Sequence, residues 1–355
     1  MKILKKAALP VAISLVALSG ALTAQAAEEN ENKGPEFYGM LYVSMDLQKT
    51  ENTITTANNE PSHWALNSRN SRVGIKQDIK LNDGLTAIYK IETGLEIDDG
   101  DKGGKSFYQR DVYLGVKGDY GQIIGGRFNT PMRMAEGKID PFNHLDGDIV
   151  AVLGGHLRVN NIVQYTSPKF ASTVINVAFM PGELEDLDGD GADDNRIANA
   201  FSASALYNEG NLFASFAFDK NMPSGTRTEV GTRTPATDNT NRSDRVQLAA
   251  KYQMGAAAFG TIIQHAVDSD DSKLKENAFI VNGTYRISDY TLKAQYGLNK
   301  GDSTKNERSL AAVGVNYHVA KNSIASVNYS IKDYELKNGN KAEDKTLTFA
   351  YNIKF

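Results

Sequence analysis

Thr346 to Phe355 (TLTFAYNIKF) alternate without a break. Leu347, Phe349, Tyr351, Ile353 and Phe355 have one parity; Thr346, Thr348, Ala350, Asn352 and Lys354 have the other. Successive side chains of a β-strand point to opposite faces, so the two sets lie on opposite sides of a sheet. The apolar set ends on an aromatic residue at the last position. A strand with lipid on one face and water on the other reads this way, and a soluble strand has little reason to. The decamer predicts the closing strand of an outer-membrane β-barrel.

The opposite end agrees. Lys2, Lys5 and Lys6 form a positive n-region, Ala7 to Leu18 is a short apolar run, and Ala24-Gln25-Ala26 is an A-x-A cleavage site. Residues 1–26 therefore read as a cleaved secretory signal peptide, with the mature chain starting at Ala27. Residues 27–355 show no Pro- or Ser-rich linker and no break in composition, which favours one barrel domain.

Composition narrows the function classes. The formal net charge is -4 over 355 residues, and three lysines lie in the leader, so the exported part is more acidic still. No basic face invites nucleic acid. There is no Cys, which removes thiolate chemistry and Cys-based metal sites. Mean hydropathy is -0.41, and no apolar run after the leader approaches the roughly 20 residues of a spanning helix. A barrel also scores as soluble, because only alternate residues meet lipid.

Period-2 segments recur to the end of the chain. Leu85, Ala87, Tyr89 and Ile91 alternate with Thr86, Ile88, Lys90 and Glu92; Ala325, Val327, Tyr329 and Ile331 alternate with Ser326, Asn328, Ser330 and Lys332. Such alternation argues strand over helix. Strands are expected near 36–48, 68–81, 84–97, 107–117, 119–127, 158–168, 171–181 and 199–209, and near 211–220, 244–254, 256–267, 277–288, 290–299, 308–320, 323–336 and 344–355. That is about sixteen, an even number suited to a bacterial barrel with both termini in the periplasm. Short turn signals such as Glu209-Gly210, Met254-Gly255 and Ser288-Asp289 alternate with long polar segments such as Asn129–Leu157 and Asn221–Ser243. Short periplasmic turns and long outer loops are the barrel pattern.

Several local stretches carry a resemblance: Tyr38-Gly39, Ser71-Arg72-Val73-Gly74, Gln109 to Gly115 (QRDVYLG), Gly125 to Pro131 (GGRFNTP) and Asn160 to Pro168 (NNIVQYTSP). In this order, with the leader and Phe355, they resemble the general diffusion porins of Gram-negative bacteria over essentially the whole mature chain. Phe355 likewise resembles the terminal signal that barrel-assembly machinery reads. The resemblance implies an all-β, sixteen-stranded transmembrane antiparallel barrel in the outer membrane. It further implies a homotrimer amid lipid and lipopolysaccharide, passing ions and small hydrophilic solutes. It also implies an inward-folded constriction loop, matched here by Asn129–Leu157. The loop acids Glu136, Asp140, Asp146 and Asp148 would face a basic wall of Arg72, Arg110, Arg127 and Arg158.

Parity supports part of that wall. Arg72 shares a face with Lys76, Asp78 and Lys80, and Arg158 with Asn160, Gln164 and Thr166. Arg110 shares parity with Val112, Leu114 and Val116, so alternation does not place it inward, and Arg127 rests on its motif. A charged side chain facing mid-bilayer lipid costs about 2–4 kcal/mol, so all four are expected against water or protein. With acids and bases both present, ion preference stays open.

Asp186-Leu187-Asp188-Gly189-Asp190-Gly191 matches the opening of an EF-hand loop, with carboxylates at positions 1, 3 and 5 and Gly at 6. Ile197 stands where the bidentate Glu belongs, so the two readings are a weak calcium site at Asp186, Asp188 and Asp190 and a solvated acidic outer loop. No histidine sits in an HExxH or beside a GxSxG, so an enzyme is the remote alternative. The nearer one is a substrate-specific channel. Its mark would be an aromatic track or stacked Lys and Arg along the lumen; only Tyr38 and Tyr42 read as an inward aromatic pair.

Overall fold

The computed structural model describes residues 34–54, 60–82, 84–98, 106–182, 196–224 and 242–355. The leader at 1–26 and the Asp186, Asp188, Asp190 segment lie outside the described residues. Alternation along the chain builds one antiparallel sheet. Its strands are β1 (Glu36–Asn52), β2 (Glu60–Ser68), β3 (Arg72–Asn82), β4 (Leu85–Leu95), β5 (Phe107–Gly118) and β6 (Gly121–Asn129). Then come β7 (Arg158–Thr166), β8 (Thr173–Met180), β9 (Ala200–Glu209), β10 (Leu212–Pro223), β11 (Arg242–Met254) and β12 (Ala257–Asp268). The last are β13 (Lys275–Ile287), β14 (Tyr290–Gly301), β15 (Glu307–Ala320), β16 (Ser323–Glu335) and β17 (Lys341–Lys354).

Apart from β2 and β3, each strand pairs with its neighbour in sequence, and β1 pairs with β17 from Met40↔Lys354 to Asn52↔Ala342, which closes the sheet. Both β2 and β3 pair with β1, so they are two parts of one barrel strand, and the closed barrel has sixteen. The break falls at Arg69-Asn70-Ser71, where Asn70 adopts φ 58°. There Ser71 Oγ accepts from Tyr42 N at 2.9 Å and donates to Tyr42 O at 3.0 Å, replacing ladder bonds. The expected strand at 68–81 is therefore only the second part of a longer, interrupted one.

The outer face carries the apolar parity. Leu248, Phe259, Ile263, Tyr285, Val313 and Phe349 are all exposed there. In water so large an apolar surface would aggregate; against lipid it is the barrel's solvent-facing side. Near the short turns, Tyr290 and Tyr317 stack at 5.1 Å, a piece of the aromatic girdle expected at the interface.

Residues 130–157 enter the lumen and pack on its wall. Thr130 caps a short helix, α1 (Pro131–Met134), by accepting from Arg133 N at 3.2 Å. Met132 and Ala135 lie on Ala217, while Ile139, Ile149, Val152 and Leu153 lie on Ala249, Ile262, Ala278, Ile280 and Leu310. Each fully buried aliphatic side chain contributes about 1.5–3 kcal/mol. The wall also satisfies the loop's carbonyls. Gln295 Nε2 donates to Gly147 O, Asn299 Nδ2 to Val152 O and Ser215 Oγ to Ala135 O, at 2.8, 2.8 and 2.6 Å. The small and amide residues on the inner parity of β10–β14 thus form the loop's seat.

Candidate pore constriction

The seated loop faces β3–β7 across a polar cavity of about 350 Å³. Arg72, Lys90, Arg110, Arg133 and Arg158 line it, with Glu92, Asp111 and Glu136. The wall is braced internally. Arg110 Nε donates to Glu92 Oε1 at 2.6 Å, and Lys90 Nζ donates to Asp111 Oδ2 at 2.6 Å. Arg158 pairs with the other oxygen of Asp111, Arg72 Nε stands 3.8 Å from Glu92, and Tyr38 Oη donates to Glu92 at 2.9 Å. Such pairing fixes the guanidinium groups in place, which a mobile surface lysine would not allow.

Three of the four expected arginines, Arg72, Arg110 and Arg158, come together here. Arg110 does so through a β-bulge. Ile91 pairs with Val112 but Thr93 pairs with Gln109, so Glu92 stands opposite two residues, Arg110 and Asp111. Both turn inward, and beyond the bulge the parity flips, so that Tyr113 packs on Phe128 inside while Leu114 is 66% exposed outside. A bulge is invisible to strict alternation. It both made Arg110 ambiguous and hid Asp111. Lys90 and Glu92 were legible by parity, and their pairing with arginines of other strands was not.

Arg127 is placed elsewhere. It pairs with Val112 on the outer parity shared with Ile123, and donates to Asn160 Oδ1 at 2.6 Å and to the Gln109 carbonyl. It does not line the cavity. The motif carried the residue type but not its face.

Of the four loop acids, Glu136 alone lines the cavity with the arginines. Asp140 accepts from Phe142 N at 2.8 Å and Ile149 N at 3.2 Å, and Asp148 from His144 N at 2.8 Å and Val150 N at 2.9 Å. These two carboxylates fold the loop on itself rather than facing the wall. Burial, then for Asp140 the neighbouring Asp148, pushes both above the usual carboxylate range.

Asp146 faces a different partner set. Arg69 Nη2 donates to it at 2.6 Å and to Asp46 at 2.5 Å, and Lys332 Nζ reaches it at 3.3 Å. Burial acts against its charge, but Arg69 and Lys332 outweigh burial and hold its carboxyl below the usual range. This clasp tethers the loop tip to β16 and to the break between β2 and β3. Neither Arg69 nor Lys332 stands in a motif, and only the strand break turns Arg69 inward.

His144 borders both sides, with φ 73° and Asn70 Nδ2 donating to its Nδ1 at 2.9 Å. Burial and then the surrounding arginines, Arg72 first, lower it to about 3. It is therefore neutral from pH 5 to pH 8, and ion preference is expected to show no histidine step from it across that range. Reversal potentials measured from pH 5 to pH 8 check this; a step near pH 6.5 that His144→Asn abolishes would contradict it.

The Gram-negative porin family matches residues 11–351. Major outer membrane protein P.IB of Neisseria sicca is 24% identical over 187 residues, 51% of this chain and 51% of that protein. The chain thus spans about half the length of that relative. Chitoporin of Vibrio furnissii is 26% identical over 323 residues, 84% of each. Among solved structures, the anion-selective porin from Comamonas acidovorans has the same fold, with TM-score 0.70 and 17% identity over 91% of this chain and 99% of that one. OmpT of Vibrio cholerae in its trimer form gives TM-score 0.61 and 18% identity, covering 91% and 99%.

Proposed function

The chain belongs to the Gram-negative porin family, and we propose that its outer-membrane channel passes small hydrophilic solutes passively with a preference for anions, set at the Arg72–Arg110–Arg158 wall. A sixteen-stranded barrel leaves an aqueous lumen, and the loop narrows it without filling it. The observation that carries the anion preference is the charge around the narrow cavity: five cations against three carboxylates, with His144 neutral. A ring in which bases outnumber acids favours anions.

A sugar-specific track has less support. Of the inward aromatics, Tyr42 packs under Leu145 and Tyr113 packs on Phe128. Among the described residues, Tyr38 and Tyr108 stand beside the arginines, too few for a continuous stacking path.

Homotrimer formation has its own support. Arg127, Gln109 and Asn160 form a polar patch on the outer parity, flanking the strand positions of Arg110 and Arg158. A charge there is costly against lipid and cheap against a second copy of the chain.

Planar-bilayer recording tests the reading. Folded protein is expected to give ohmic steps in groups of three, with the zero-current potential in a salt gradient on the anion side. A silent bilayer would sink the open channel, a cation-side potential the anion preference, and single steps the trimer.

A further inference from the structure

The two loop charges at the aperture share one support. Glu136 Oε2 lies 3.3 Å from His156 Nδ1, and Arg133 Nη1 donates to the His156 carbonyl at 2.6 Å. His156 itself is 3% exposed, so it does not meet the permeant ion.

A brace from the wall holds it. His156 Nε2 lies 2.7 Å from Gln247 Oε1, and Gln264 Nε2 donates to that same oxygen at 3.0 Å. Gln264 in turn grips the loop backbone, donating to Gly154 O at 3.0 Å and accepting from Gly154 N at 3.2 Å. The Arg245 guanidinium fills the space beneath. A Cβ on Gly154 would stand 2.6 Å from Arg245 Cζ, and Gly155 needs φ +76°. Only glycines let the stem lie so close. Glu276 anchors Arg245 at 3.4 Å and Arg308 at 2.7 Å.

We infer that His156 is a positioning residue for ion selectivity: braced by Gln247 and Gln264, it holds Glu136 back from the basic wall and fixes Arg133 at the aperture. The inference rests on the constriction reading above. Without the ring, Glu136 keeps only its 3.3 Å bond from Asn143 Nδ2 and swings toward the facing cations, offsetting their field, so anion preference falls. The effect runs through Glu136, so it vanishes where Glu136 carries no charge.

Reversal potential and conductance of the full-length protein in planar bilayers test this, using Glu136→Gln, His156→Phe and the double variant. Glu136→Gln is expected to shift the reversal potential toward anions and His156→Phe toward cations. The double variant is expected to match Glu136→Gln alone. His156→Gln, whose side-chain amide supplies a donor for Glu136, is expected to restore the native potential. Equal shifts by His156→Phe in both backgrounds, no shift at all, or a Gln variant as displaced as the Phe variant would overturn the inference. If His156→Phe gives no heat-modifiable folded protein, Gln247→Leu takes its place with the same expectations. Should Arg72 and Arg110 variants move the potential while Glu136 and His156 variants do not, the inference falls alone. If none moves it, the constriction reading falls too.

Discussion

Replacing Arg72 and Arg110 together with Gln is expected to abolish the proposed anion preference and shift the reversal potential toward cations. The change leaves Lys90, Arg133 and Arg158 against Glu92, Asp111 and Glu136 around the cavity, an even balance. It also frees Glu92 from its 2.6 Å bond to Arg110, while Lys90 at 3.4 Å and Tyr38 remain with it. A unit charge about 5 Å from the permeant ion is worth roughly 0.8 kcal/mol even at the dielectric of water, about fourfold in local ion concentration. Two such charges, partly screened within a Debye length of ~8 Å, predict a change of up to about tenfold in the permeability ratio. Substitutions of Asp193 and Asp194, in the acidic stretch after Asp190 that the sequence reads as a solvated loop and that lies outside the described residues, are expected to do little at physiological salt. Zero-current potentials in a salt gradient make the measurement. An unchanged potential in the double Arg variant would show that ions are selected elsewhere.

Not all the loop acids contribute to that field. The sequence placed Asp140, Asp146 and Asp148 as one set with Glu136, since four carboxylates in one polar loop look alike. What separates them is local backbone geometry. Asp140 and Asp148 accept main-chain N–H groups two to nine residues away, and Asp146 turns to Arg69 and Lys332. Asp148→Asn therefore loosens the loop instead of mirroring the Arg variants, because an amide oxygen replaces only one of two acceptors. Strand positions were legible for the opposite reason. Period-2 alternation is enforced along the whole chain by lipid outside and water inside, so each of the sixteen expected strands has its counterpart. Errors cluster where the period is broken. At Arg110–Asp111 one bulge flips parity, and at Arg69–Ser71 a strand is interrupted. At Arg127 a second bulge sets Asn160 and Asn161 opposite one residue. Each break re-aims a charged side chain, which a periodic reading cannot see.

Deleting Phe355 is expected to abolish most insertion into the outer membrane of the cell while leaving refolding in detergent largely intact. The geometry separates the two effects. Phe355 N donates to Gly39 O at 3.1 Å and Phe355 O accepts from Gly39 N at 2.9 Å, one residue pair at the end of the β1–β17 seam. Its ring lies over Gly39, where a Cβ would stand 2.3 Å from Cζ, yet is 64% exposed toward lipid. Losing that packing and two hydrogen bonds costs at most a few kcal/mol. The seam keeps its register from Met40↔Lys354 to Asn52↔Ala342, so the closed barrel is still favoured. A large defect in cells alone then points to recognition, in line with the resemblance of the terminal aromatic to a barrel-assembly signal. Phe355→Tyr retains the ring and is expected to insert, and Phe355→Ala to behave like the deletion. Cell fractionation at native expression, set beside detergent refolding of the same chains, makes the comparison. Normal insertion of the deletion variant would reject the signal. Failure of both assays would make Phe355 a structural clamp on Gly39 instead.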